Sequence, residues 1–218
     1  MTAHAIYRLL SPPFRRRRMR RFIARTAPQP GESILDVGGT EEFWSGSPLS
    51  PSVTLLNPAV TYPESDRTAA SKSLAGDGCA LPFGDASFDI VFSNSAIEHV
   101  GSWDRQQAFA SEARRVGRRL WIQTPAREFF LEPHLLAPGI HWLPRHWQRR
   151  LIRNFTLRGW LERPGPAEVE AFLAEVRLLT SSEMHELFPD CTILHERFLG
   201  FTKSYIAVRI QSQPLQGR

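Results

Sequence analysis

The chain has 218 residues, 42% of them hydrophobic and 22% charged, which is the profile of a folded globular protein and excludes a disordered or fibrous one. Its formal net charge of +5 favours a phosphate-bearing or anionic partner, while two cysteines, Cys79 and Cys191, supply neither a disulfide framework nor a metal-type spacing. No apolar run approaches the roughly 18 residues that span a bilayer. The expectation is a cytoplasmic protein, at most peripheral to a membrane.

Residues 1–30 form a basic segment expected to be helical, with Arg15, Arg16, Arg17, Arg18, Arg20 and Arg21 on a solvated face. The apolar stretch ahead of these arginines is broken by Pro12 and Pro13, so it lacks the order of a secretory signal. Residues 33–37, 53–56, 88–92, 119–122 and 204–210 read as buried strands. Between them, residues 104–116 carry helical spacing (Phe109, Ala113, Val116), and residues 167–179 place Val169, Phe172, Leu173 and Val176 on one face. Strands alternating with helices predict an α/β protein, a mostly parallel sheet with helices on both faces, in a single domain over 1–218. Residues 125–166 break this rhythm, being rich in Pro, His, Trp and Arg, and are expected to form a helical cap insertion on the substrate side.

The first strand ends at Asp36 and runs into Gly38, Gly39 and Thr40, where missing side chains let a backbone approach a ligand closely. Asn57 follows the second strand about 20 residues later, where a nucleotide-binding sheet presents a group to ribose hydroxyls. Asp77, followed by Gly78 and Cys79, offers a carboxylate for an exocyclic amine and a backbone amide for a ring nitrogen. Those are the groups of an adenine.

Residues 75–100 carry a G-D-x-x-x-L-P-F stretch (Gly76 to Phe83), then Ser87-Phe88-Asp89-Ile90-Val91, then a polar pair and His99-Val100. This run resembles the central signature of class I methyltransferases of the type 11 family. The resemblance implies S-adenosylmethionine as cofactor, and a Rossmann-like seven-stranded sheet whose last strand, 204–210, is antiparallel. It also implies that Asp36, Gly38, Gly39 and Thr40 border the methionine and ribose portion, that Asn57 faces the ribose, and that Asp77, Gly78 and Cys79 hold the adenine. Ser93, Asn94 and Ser95 would line the methyl-transfer site, with His99 on the helix that follows. Two departures stand out. The third glycine of the family loop is missing from Thr40-Glu41-Glu42, and the usual acidic ribose ligand is Asn57, which lacks charge-assisted strength. A degenerate, non-catalytic partner subunit is therefore an alternative.

In the cap, Glu132, His134 and His141 are the residues expected to contact the acceptor, and His99, His134 and His141 the bases available to deprotonate it. Glu132, His134, His141 and His146 lack a standard ligand spacing, so no metal site is expected. Over residues 140–161, Trp142, Trp147, Phe155 and Trp160 interleave with Arg145, Arg149, Arg150, Arg153 and Arg158. The simplest expectation is a cap whose tryptophans pack on the domain, ahead of peripheral contact with an anionic membrane. Methyl transfer to an O or N atom of a small-molecule or lipid-linked acceptor is the leading expectation. An RNA methyltransferase is a rival supported by the basic blocks, but no RNA-binding module is visible and nucleic acid is not an expected partner. A nicotinamide-dependent oxidoreductase would share the first loop and leave Asp77 to Asn94 unexplained.

Overall fold

A computed structural model describes residues 12–58 and 72–210. Residues 1–11 and the side chain of Arg15, both part of the expected basic segment, lie outside the described portion. In chain order the main elements are α1 (Pro12–Thr26), β1 (Ile34–Val37), α2 (Glu41–Trp44), β2 (Val53–Asn57), β3 (Lys72–Ala75) and β4 (Phe88–Asn94). Then come α3 (Trp103–Val116), β5 (Gly117–Pro125), β6 (Leu131–Glu132), β7 (Ala137–Pro138), α4 (Arg145–Phe155) and α5 (Leu157–Glu162). The chain closes with α6 (Pro166–Glu175), α7 (Ser181–Leu187), β8 (Thr192–Phe198) and β9 (Phe201–Arg209).

Seven strands form one sheet in the order β3-β2-β1-β4-β5-β9-β8. The strands from β3 to β5 are parallel, and β9 runs antiparallel to both β5 and β8, so the expected antiparallel last strand is present. The chain order reverses between β1 and β4, and that reversal opens a crevice at the carboxyl ends of these strands. Every residue of β1 is buried, because helices cover both faces of a central parallel strand. β3 and β8 had no apolar run to announce them. Both are edge strands with mostly exposed or half-exposed residues, so neither needs continuous hydrophobicity.

Side chains alternate between two cores. Leu35, Val37, Val91, Leu120 and Ile122 pack with Phe109, Ala113 and Val116 of α3 on one face. Ile34, Leu55, Ile90, Phe92 and Trp121 pack on the other, where α1 contributes Phe22 and α2 contributes Trp44. The Phe22 ring meets Phe92, Trp121 and Trp44 edge-on, with centroids 5.0, 5.7 and 6.1 Å apart. Its full burial contributes on the order of 2 kcal/mol. The expectation of a merely solvated arginine face needs correction at one position. Arg18 is buried and donates to Glu196, Ser204 and Asn94, while Arg16, Arg17 and Arg20 are exposed.

The cap is helical as expected, but its limits differ. The hairpin of β6 and β7, α4 and α5 share a small core with α6: Leu135, Ala137, Ile140 and Ile152 pack on Val169 and Leu173. The cap thus extends to Glu175. The helix expected over 167–179 stops there because Val176 is extended, and Leu179 instead bridges to Ala126 at the end of the sheet. The tryptophans also depart from expectation: Trp142, Trp147 and Trp160 are exposed, as is Phe155, instead of packing on the domain. Among the described residues no helix is long and apolar enough to cross a membrane.

Candidate functional site

The loop after β1 is shaped by close contact. Gly38 has φ +82°, and a Cβ there would lie 2.5 Å from the Cβ of Ala96. A Cβ at Gly39 would meet the Asp36 carboxylate at 1.8 Å. Gly38→Ala is expected to lower unfolding stability by at least about 2 kcal/mol, from left-handed strain and overlap with Ala96, and a urea titration measures it. A variant as stable as the parent would show that the loop is free to move.

Asp36 itself faces the aromatic core. Its Oδ2 accepts from the Trp44 indole at 2.7 Å, and its Oδ1 is buried without a hydrogen-bond partner. Burial raises the carboxyl pKa to about 7, against the smaller opposing pull of the Trp44 hydrogen bond. Asn57, at the end of β2, donates from Nδ2 to the Gly39 carbonyl at 2.9 Å, tying the loop to the neighbouring strand. Thr40 is exposed and precedes α2, whose first turn carries Glu41 and Glu42.

Asp77 sits on a turn after β3. Its Oδ1 accepts from the backbone amide of Cys79 at 2.9 Å, and Arg105 of α3 donates to both carboxylate oxygens at 3.0 Å. The Cys79 amide leads the influences that hold the Asp77 pKa below the usual range, with Arg105 adding to it. A carboxylate has about four acceptor positions, so Asp77, which is exposed, retains capacity for an amine. Gly78 packs tightly against Phe109 and Val37.

The residues expected after β4 separate. Ser93 is fully buried and donates to the Val37 carbonyl at 2.8 Å, so it ties β4 to β1 and lines nothing. The Asn94 Oδ1 accepts from Arg18 at 3.2 Å. Ser95 has φ +62° and donates to Gln123 at 3.1 Å. His99 closes a 3-10 turn, Ile97–His99, that precedes α3.

That turn meets the cap. His99 Nδ1 pairs with Glu175 at 3.0 Å, His134 Nδ1 pairs with Glu132 at 2.6 Å, and the two rings stand edge-on with centroids 4.8 Å apart. Burial would lower the His134 pKa, but the Glu132 hydrogen bond and the charges of Glu132 and Glu98 outweigh it and hold it above the usual range. Glu98, next to His99 in the turn, is fully buried and had no signal in the sequence, since its neighbour His134 comes from a distant segment. His141 and His146 do not join this group. His141 Nε2 faces the Arg127 carbonyl at 2.9 Å, and His146 is exposed against Trp147. A carbonyl only accepts, so Nε2 carries the His141 proton. Burial lowers the ring's pKa and keeps it neutral.

The cap lines a cavity of about 530 Å³, whose walls include Glu132, His141, Phe172 and the arginines Arg127, Arg145 and Arg177.

A family model described as a methyltransferase domain, of type 11, matches residues 49–119. That match covers about a third of the chain. The matched stretch contains Asn57, Asp77 and Ser93 to His99 and begins after the irregular Asp36 to Thr40 loop. Similar solved structures bear out the class I fold. One is described as an S-adenosylmethionine-dependent methyltransferase from Thermotoga maritima, with TM-score 0.51 and 15% identity over 91% of this chain and 98% of that one. Another is the N-terminal domain of EvdMO1 with S-adenosylhomocysteine bound, with TM-score 0.50 and 20% identity over 91% of this chain and 81% of that one. No curated protein matches the sequence.

The cofactor that the sequence resemblance implies is S-adenosylmethionine, and S-adenosylhomocysteine is its demethylated form. The loop fits such a group through the orphaned Asp36 Oδ1, a buried acceptor without a donor beside a glycine backbone that no Cβ crowds. A hydroxyl or ammonium donor is what that atom lacks.

Proposed function

We propose that the protein transfers the methyl group of S-adenosylmethionine to an O or N atom of a small-molecule or lipid-linked acceptor held beneath the cap. The observation that carries this reading is the cavity of about 530 Å³ lined by the cap, a volume within the range of small-ligand sites. Its three arginines favour an anionic acceptor. The bound cofactor supplies an electrophilic methyl on a sulfonium sulfur. Asp36, Gly38, Gly39 and Thr40 would border its methionine and ribose, Asn57 its ribose, and Asp77 with Gly78 and Cys79 its adenine. Asn94 and Ser95 would flank the transfer site. Positioning alone drives attack by a neutral amine. A hydroxyl acceptor gives up a proton, which His141 in the cavity wall would take on Nδ1, its ring nitrogen without a hydrogen-bond partner.

The exposed Trp142, Trp147, Phe155 and Trp160 beside the cap's arginines support the lipid-linked arm and contact with an anionic membrane surface. Calorimetric titration with S-adenosylmethionine, followed by transfer of labelled methyl into aqueous and lipid fractions of a cell extract, tests the reading. Binding is expected, and Asp77→Ala should weaken it at least about tenfold through loss of charge-assisted hydrogen bonds. Unchanged affinity in that variant would refute the adenine placement. Absence of any binding by the parent would overturn the function. The fraction that carries the label distinguishes the two acceptor sources.

A further inference from the structure

We propose that Glu98, His99 and His134 form a binding site for one divalent transition-metal cation of the zinc class. One ligand atom from each of these residues lies within 4.8 Å of the others. In a tetrahedral site with ligands about 2.1 Å from the ion, neighbouring ligand atoms are about 3.4 Å apart, so small side-chain rotations close the set. His99, only part-buried at the rim of the turn, has the freedom to make them.

Which atoms are available follows from what the others already do. Each imidazole has its Nδ1 committed to a carboxylate, Glu175 for His99 and Glu132 for His134, which leaves both Nε2 atoms for a ligand. A carboxylate on the far nitrogen of a ligating histidine is the usual support of a zinc-type site, fixing the tautomer and raising ligand basicity. Glu98 supplies an independent sign. Its Oε2 accepts from the Thr124 hydroxyl at 2.9 Å, whereas Oε1 is buried without a partner in a residue that is fully buried. A buried carboxylate oxygen without a donor is costly, and a cation resolves it. Two imidazole nitrogens and one carboxylate oxygen suit zinc, iron(II) or manganese(II) and leave at least one coordination position open. Glu132, which orients His134, also lines the cavity beneath the cap. The site itself does not depend on the methyl-transfer reading.

The full chain, stripped with a chelator and free of S-adenosylmethionine, is titrated with zinc chloride and, separately, manganese chloride by calorimetry. One equivalent is expected to bind with Kd of about 10 µM or tighter, and cobalt(II) should give the visible absorption of a low-coordinate nitrogen–oxygen site. His99→Ala and His134→Ala should each weaken binding at least about tenfold, and Glu175→Gln, which removes only a supporting carboxylate, by about tenfold. His146→Ala, an exposed histidine outside the cluster, should leave the affinity unchanged. Circular dichroism verifies folding of each variant, and the part-buried His99 position keeps the test valid should the buried Glu98→Gln not fold. No binding by the parent at about 1 mM metal, or binding untouched by both histidine variants, would overturn the site.

Discussion

Arg18→Met is expected to lower the free energy of unfolding by about 3–5 kcal/mol, a large share of the stability of a domain this size. Arg18 reaches from α1 across the sheet edge, donating from Nε at 3.1 Å and Nη2 at 2.9 Å to Glu196 Oε2, and to Ser204 and Asn94. Both charges are buried. Removing the guanidinium strands the Glu196 carboxylate, which already has an unpartnered Oε1. Burial raises the Glu196 pKa, but the Arg18 charge and the Ser204 and Arg18 hydrogen bonds overcome it and hold the group below the usual range. Lys203 is the nearby cation, its pKa pushed down to about 8 by burial and by Arg18, and it offsets only part of the loss. Arg18→Met with Glu196→Met should recover most of the stability, because removing both charges leaves nothing unpaired. Urea denaturation of the two single variants and the double variant measures the coupling, and simple additivity would show the pair to be independent.

Stability should fall as pH rises from about 4 to about 7, and Asp36 is the cause. Burial places its folded-state pKa at about 7, above the 3.8 of an exposed aspartate. Within that interval the folded protein keeps a proton that the unfolded chain has released, so the unfolded state gains with each unit of pH. Stability from the neutral carboxyl is full below about pH 4 and gone above about pH 7. At 1.36 kcal/mol per unit the whole interval is worth on the order of 4 kcal/mol. Asp36→Asn cannot titrate, so the difference between parent and variant should change by that amount across the interval, whatever other groups contribute. Chemical denaturation of both proteins at several pH values provides the curve, and a difference that stays flat would show Asp36 to be solvated. A cationic cofactor favours the ionised carboxylate, so S-adenosylmethionine affinity should rise towards pH 7 in the parent and lose that slope in the variant.

The residues themselves determined the central strands and α3, and their resemblance to class I methyltransferases pointed to the cofactor. β1, β2, β4 and β5 are buried on both faces, which demands apolar runs that stand out in a sequence, and Asp77 to Asn94 follow the first loop at the intervals a nucleotide site requires. The edge strands β3 and β8 carry no such demand and were invisible for that reason. Only the tertiary structure turned Arg18 inward, since the six arginines of its block look alike until Glu196 and Ser204, which lie near the other end of the chain, arrive beside one of them. The same holds for Ser93, whose hydroxyl direction depends on the Val37 carbonyl of the neighbouring strand. It holds for Glu98, His99 and His134 above all. Their meeting depends on how the cap folds back over the 3-10 turn, a long-range contact that local spacing does not encode.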